Sequence, residues 1–258
     1  MNRIAAALLA TTALATPALA ETAIGLTGDK TLVMIDTTTA AVTGTMDVEG
    51  VDRLLGIDYR PSNGTLVGVT DAHVIVTIDT ATGMATELST MNVMLPSTEG
   101  AVIVDFNPMA DRLRFMTGTT NHRVNVDTGE VTVDGPLAYM AGDMHEGETP
   151  NIIAAAYINS YGTPEATGMF DIDGTISALI KQAPPNDGTL AAVGKLGVTL
   201  EGPVGFDVAT TADGTNTAWL AAMGGLHTVD LETGAVTGTW AITGTDQPIR
   251  DITVLPAM

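Results

Sequence analysis

The chain has no cysteine, so neither disulfides nor thiol chemistry is open to it, and its fold must rest on buried aliphatic surface. A chain of 258 residues is long enough to bury what it needs. Aromatic residues make up 4 %, with Trp219 and Trp240 the two tryptophans, which leaves few platforms for stacking a sugar or a base. Basic residues are scarce too: 10 Lys and Arg stand against 30 Asp and Glu, a formal net charge of −20. Such a charge disfavours nucleic acid and anionic membrane surfaces. It suits cations, basic partners or a saline medium, and equally plain solubility. After residue 20 no apolar run approaches the roughly 20 residues of a membrane helix. No segment there carries a convincing 3.6-residue apolar period either, which argues against helices.

The first twenty residues read differently. Asn2 and Arg3 make a short positive start, and Ile4 to Ala15 form an apolar stretch broken only by threonines. Pro17 then leads into Ala18-Leu19-Ala20, a small-x-small exit. The pattern predicts a signal peptide over 1–20, cleaved after Ala20, and one domain over 21–258 that works in the periplasm or outside the cell.

What is abundant is repetition. Leu54 to Pro61 reads as a strand ended by proline, and Ser62-Asn63-Gly64 as a tight turn that tolerates positive φ. Thr65 to Thr70 and His73 to Ile78 follow as strands rich in β-branched residues, then the turn Asp79-Thr80-Ala81-Thr82-Gly83 and a fourth strand from Met84 to Leu88. The opening strand recurs at Val102 to Pro108, Ile152 to Tyr157, Val204 to Val208 and Ile249 to Pro256. The turn recurs at Asn125 to Gly129 and Asp230 to Gly234, and more weakly at Asp36 to Ala40. With Ala156 in the place of the strand's aspartate, the spacings 58–105–156–207–251 are 47, 51, 51 and 44 residues. The 7 residues after Asp251 and the 38 from Glu21 to Asp58 close the circuit at 45. Five four-stranded units of this length predict an all-β, five-bladed β-propeller whose C-terminal strand completes the first blade. A linear solenoid would leave exposed strand edges at both ends. The fourth unit departs from the rest, with Pro184-Pro185-Asn186-Asp187-Gly188 replacing the usual turn. Asn186 and Asp187 belong either to a shaped connection at one mouth of the ring or to a rigid hairpin.

Candidate chemistry gathers on the repeat. If each opening strand is innermost, Asp58, Asp105, Asp207 and Asp251 stand at equivalent heights around the axis. Clustered there, their oxygens would suit a hard cation such as Ca²⁺. Alternatively each accepts backbone N–H bonds from the next blade, and the fact that most buried polar groups serve structure favours this. Arg60, Arg112, Arg114 and Arg123 offer an anion clamp or, more economically, ion pairs between blades with these aspartates. The loop Gly142 to Glu148 sets His145 among carboxylates, a pattern open to a transition metal but lacking the helix that would align ligands. His73, His122 and His227 lie in or beside third strands, where packing or capping is expected of them. Asp171-Ile172-Asp173-Gly174 lacks the remaining ligands of a calcium-binding EF-hand.

Serine-hydrolase elbows, phosphate-binding glycine loops and dinucleotide fingerprints are missing from the sequence. The set Gly56 to Pro61, Asp105 to Pro108, Asp111 to Arg114, Asn121 to Asn125, Ala154 to Tyr157 and Pro184 to Leu190 resembles the bacterial exported family known as domain of unknown function 4394. The resemblance covers nearly all of the chain after residue 20. It implies a propeller-like exported domain and no particular activity. The expectation is a non-enzymatic propeller that binds a small molecule or a protein, with a structural cation such as Ca²⁺ as its cofactor. The alternative is a metal-dependent hydrolase or lyase acting at the channel.

Overall fold

The computed structural model describes residues 21–256, so the segment read as a signal peptide lies outside the described residues. One sheet contains β1 (Thr22–Thr27), β2 (Thr31–Asp36) and β3 (Ala41–Asp47). A second contains β4 (Leu54–Arg60), β5 (Thr65–Thr70), β6 (Val74–Ile78) and β7 (Ala85–Thr90). The third holds β8 (Ile103–Asn107), β9 (Arg112–Thr117), β10 (Thr120–Asn125) and β11 (Glu130–Val133). In the fourth, β12 (Ala138–Tyr139) lies parallel against the outer edge of β13 (Ile152–Tyr157), β14 (Met169–Asp173), β15 (Ala178–Gln182) and β16 (Thr189–Lys195). The fifth is β17 (Val204–Thr210), β18 (Asn216–Ala222), β19 (Gly225–Val229) and β20 (Val236–Ala241). The last strand, β21 (Ile249–Val254), returns to pair antiparallel with β1, Ala23 opposite Val254.

Strands β21, β4, β8, β13 and β17 are innermost, and each packs on the next around a closed circuit. The molecule is a five-bladed β-propeller sealed by its C-terminal strand, as the 45-residue closure predicts. Inner strands are covered on both faces, and β17 is buried along its whole length, Val204 to Thr210. Outermost strands such as β3 alternate half-buried with exposed residues, the period-two signature of a strand with one wet face. Glycine lets the inner strands approach closely: a Cβ at Gly56 would lie 2.6 Å from a methyl of Val104 and 2.8 Å from a carboxylate oxygen of Asp251.

Apolar clusters fill the wedges between blades. Leu26, Leu32, Ile57 and Leu66 join blades one and two; Val67, Ile75, Phe106 and Phe115 join two and three. Met116 and Tyr157 meet between three and four, Phe170 and Phe206 between four and five, and Trp219 meets Ile35 and Ile252 at the seam.

The recurring turn works through its first residue. Asp79 Oδ1 accepts the N–H groups of Ala81 and Thr82, Asp230 Oδ1 those of Glu232 and Thr233, and Asp36 Oδ1 those of Thr38 and Thr39. The glycine that ends the turn leans on the preceding blade: Gly129 has φ +74°, and a Cβ there would strike the Thr90 carbonyl. In the weak copy Ala40 holds φ 53° without glycine.

Candidate functional site

The centre of the ring is built from the repeated aspartates. Asp58 Oδ2 accepts the Phe106 N–H at 2.6 Å, and Asp105 Oδ1 accepts the Tyr157 N–H at 2.9 Å. Asp207 Oδ2 accepts the Val254 N–H, and Asp251 Oδ2 the Ile57 N–H at 2.8 Å. Each carboxylate therefore clips the backbone of the following blade, and four of the five interfaces carry such a clip. The fifth, between blades four and five, has Ala156 instead. There Asn216 Oδ1 accepts the Asn159 backbone N–H and Asn216 Nδ2 donates to Asn159 Oδ1, and Ser160 donates its N–H to the Thr210 hydroxyl oxygen.

The four aspartates are not all at one height. Asp58, Asp105 and Asp207 each clip the residue following the ring position of the next strand, which identifies Thr253 as that position in β21. The Thr253 hydroxyl donates to Asp58 Oδ1 at 2.7 Å. Asp251 sits two residues earlier, one layer away, against Gly56. Oxygens of Asp58, Asp105 and Asp207 lie within 4.8 Å of one another, all three residues are buried, and Asp251 stands outside this group. Burial, then the neighbouring carboxylates, holds Asp58 and Asp105 well above the usual carboxylate range. Burial also raises Asp207 to about 6 and Asp251 to about 7, opposed by the backbone N–H groups each accepts.

The arginines are mostly committed elsewhere, and not to the ring aspartates. Arg60 crosses from blade two to bind Asp111 and Asp127 of blade three, with ion pairs of 2.6 and 2.8 Å. Arg114, fully buried, donates from Nη1 to Asn121 and Asp134 and from Nη2 to Tyr157 and Asn186. Its Nε donates to Tyr157 as well. Arg123 pairs with Asp134 at 2.6 Å. Arg112 donates to the Ala110 and Asp111 carbonyls and lines a shallow surface groove beside Arg123. Pairing between blades thus holds for Arg60, whereas Arg114 and Arg123 find their carboxylate within blade three.

The other candidates resolve into packing. His73 accepts the Leu95 N–H and packs edge-on against Phe115; His227 bonds Thr239 and the Ala222 carbonyl. His122 is buried among the same wedges. In the Gly142–Glu148 loop, His145 bonds Glu148 and stacks near Tyr139, and the loop forms no metal-ligand group among the described residues. Asp173 accepts the Tyr139 hydroxyl and the N–H groups of Asn151, Thr175 and Ile176. Sequence reading missed Asp171, which is fully buried with neither oxygen hydrogen-bonded. The sequence set it two residues before Asp173 in the strand Met169–Asp173, without showing that its carboxyl would go unpartnered. Also missed was Arg250, whose guanidinium gathers the carbonyls of Gly28, Asp29, Leu54 and Leu55 at the first interface.

A family model described as a domain of unknown function (DUF4394) matches residues 31–253. The chain belongs to this family. Two solved structures are similar at 14 % identity. One, a protein of unknown function from Bacteroides caccae, aligns with a TM-score of 0.46 over 88 % of this chain and 75 % of its own. The other, an auxiliary nutrient binding protein from Bacteroides ovatus, aligns with a TM-score of 0.45 over 76 % of this chain, which spans 55 % of that protein. No curated protein matches. The motifs that carry the DUF4394 resemblance converge in space. Arg114, Asn121, Tyr157 and Asn186 come from four separate motifs and meet in one network between blades three and four, buried at Arg114, Asn121 and Tyr157 and reaching the surface at Asn186. The Pro184–Gly188 segment is part of that lock: the Pro185 carbonyl accepts Asn121 Nδ2, and the Asn186 carbonyl accepts the Gly135 N–H. Asp187 faces solvent at its tip.

Two spaces remain. Beside Asp58, Asp207 and Thr253 the channel holds a void of about 10 Å³. Between blades one and two a cleft of about 800 Å³ opens, lined by Glu21, Tyr59, Leu66, Ile78, Asp79 and Leu255 among others.

Proposed function

We propose that the protein is an exported, non-catalytic binding module that takes its ligand in the cleft between blades one and two, while the aspartates at the centre serve the ring. The observation that carries this reading is the contrast in room. A void of about 10 Å³ accommodates roughly one water, too little for a substrate beside the carboxylates. The cleft, at about 800 Å³, lies in the range that small-molecule sites occupy, and it combines apolar walls with a few polar groups. A hydrolase or lyase at the channel would need an open site next to its titratable pair, so the geometry favours binding.

The test is a small-molecule thermal-shift screen on the full chain, repeated on Thr86→Trp, which fills the cleft, and Asp207→Asn, which alters the channel. Binders should be lost with Thr86→Trp and kept with Asp207→Asn. The opposite pattern, or turnover that Asp207→Asn abolishes, would refute the reading. Export is checked by N-terminal sequencing of protein from fractionated cells, which should begin at Glu21.

A further inference from the structure

We infer that the face of blade three turned towards blade four carries a binding site for the carboxylate of a small hydroxy acid, with Arg112 as its anchor. The site is separate from the cleft between blades one and two and does not depend on what that cleft takes.

Strand register assembles it. Arg123 lies opposite Arg114 and Thr132, and Asn125 lies opposite Glu130. Arg112 stands two residues from Arg114 on β9, so alternation turns Arg112, Arg123, Asn125, Glu130 and Thr132 to one face of the sheet. From that same face Arg114 reaches Tyr157 and Asn186 of blade four. The Arg114 network seals one part of the face. Beside it the other five side chains line an open groove of about 160 Å³.

The guanidinium edges point to the ligand. An arginine meets a carboxylate best through two parallel N–H groups, and two arginines around this blade do so with Nε and Nη2. Arg60 holds both oxygens of Asp111 in this way, at 2.8 and 2.6 Å. Arg123 holds both oxygens of Asp134, at 2.6 and 2.9 Å, and keeps Nη1 unspent. Arg112 uses only Nη1, on the carbonyls of Ala110 and Asp111. Its Nε and Nη2 have no hydrogen-bond partner among the described residues. Asp111 and Asp127 do not take them, because Arg60 binds both oxygens of each. Arg112 thus has no ion pair among the described residues, although 30 acidic residues stand against 10 basic ones. The edge that grips a carboxylate in Arg60 and Arg123 is vacant on an arginine that lines a groove.

The rest of the lining selects the acid. Asn125 Nδ2, the Thr132 hydroxyl and the Glu130 carboxylate have no hydrogen-bond partners among the described residues, and they suit hydroxyl groups better than an apolar chain. A water's share of the liquid is about 30 Å³, so the groove of about 160 Å³ equals about five waters. That is room for a three-carbon acid such as glycerate. Glu130 and the net charge of −20 oppose a second negative charge, which favours a monoanion over phosphate.

The experiment is a titration of the full chain with sodium glycerate at fixed ionic strength, followed in ¹H–¹⁵N spectra. The Arg112 Nε–H signal is identified by its loss in Arg112→Gln. In wild type it should shift saturably with glycerate, stay still with glycerol, and respond more weakly to phosphate. Arg112→Gln, read through the Thr132 amide, should bind glycerate on the order of 10- to 100-fold more weakly, the worth of hydrogen bonds to a charged group. Arg112→Lys keeps the charge without the fork and should recover little of that loss. Arg53→Gln, which removes an exposed charge outside the groove, should stay within about twofold of wild type. Thr86→Trp should leave glycerate binding unchanged, so this site and the cleft succeed or fail separately. The assignment is overturned if the wild-type Arg112 signal does not saturate, or if folded Arg112→Gln binds as wild type does. Full affinity in Arg112→Lys, or phosphate binding as tightly as glycerate, would reduce the site to unspecific charge and overturn it too.

Discussion

Asp171 gives the most direct test of the energetics of the ring. It lies on β14 between Ala155 and Ile180 of the neighbouring strands, facing the wedge between blades three and four. It is fully buried and neither oxygen has a hydrogen-bond partner. Burial pushes its carboxyl well above the usual range, opposed only by the nearby Arg114. Arg114 cannot approach as a partner because its donors are already spent on Tyr157, Asn121, Asp134 and Asn186. Burial thus favours the neutral acid in the folded state to higher pH than in the unfolded chain, which ionises above about 3.9, the ordinary value for aspartate. A folded pKa raised above the unfolded one contributes stability that is complete below the unfolded value and is lost as pH rises towards the folded one.

Asp171→Asn keeps the shape and removes the titration. Each pH unit between the two values costs wild type about 1.4 kcal/mol that the variant does not lose. As pH rises above the ordinary aspartate range the variant should therefore gain on wild type. Urea unfolding of both proteins at a series of pH values, in chelator and at constant ionic strength, measures the difference. Because the ring aspartates titrate in both proteins, they cancel. A difference independent of pH would refute the reasoning. A variant that loses ground as pH rises would do so more strongly, since Asp171 would then be ionised and paired.

Four further outcomes follow from named contacts. Gly129→Ala should destabilise by roughly 2–3 kcal/mol, combining left-handed strain with displacement of the Thr90 carbonyl; Gly118→Ala, left-handed but facing open space, should cost only about 1 kcal/mol. Arg114→Met should cost about 3–5 kcal/mol, because it leaves Asp134 and Asn121 short of a buried donor. Arg112→Gln, which gives up only bonds to two carbonyls, should stay within about 0.5 kcal/mol. Denaturant midpoints at neutral pH check all four, and equal losses for Arg114→Met and Arg112→Gln would contradict the networks described.

The strands, the turns and the closure of the ring were legible because their signals are local. Strand alternation, an aspartate bonding the N–H groups two and three residues ahead, and a steady period each act within one unit. The place of Ala156 was legible for the same reason. The layer of Asp251 was not, because matching it to Asp58 by residue type ignored the prolines. Aligning Pro256 with Pro61 and Pro108 puts Thr253, not Asp251, at the ring position. Nor did spacing reveal that Arg60 would choose Asp111 and Asp127 over the ring aspartates, since those partners lie 51 and 67 residues away.

The amino-acid sequence alone determined an acidic, cysteine-free ring of five β units, because pattern and period are properties of the chain taken one unit at a time. Only the tertiary structure decided which carboxylates meet and which arginines are already bound. It also decided that the centre is nearly filled while a cleft opens between the first two blades. Those outcomes depend on how neighbouring blades slide and tilt against one another, and that register is set by wedges of side chains from two units at once.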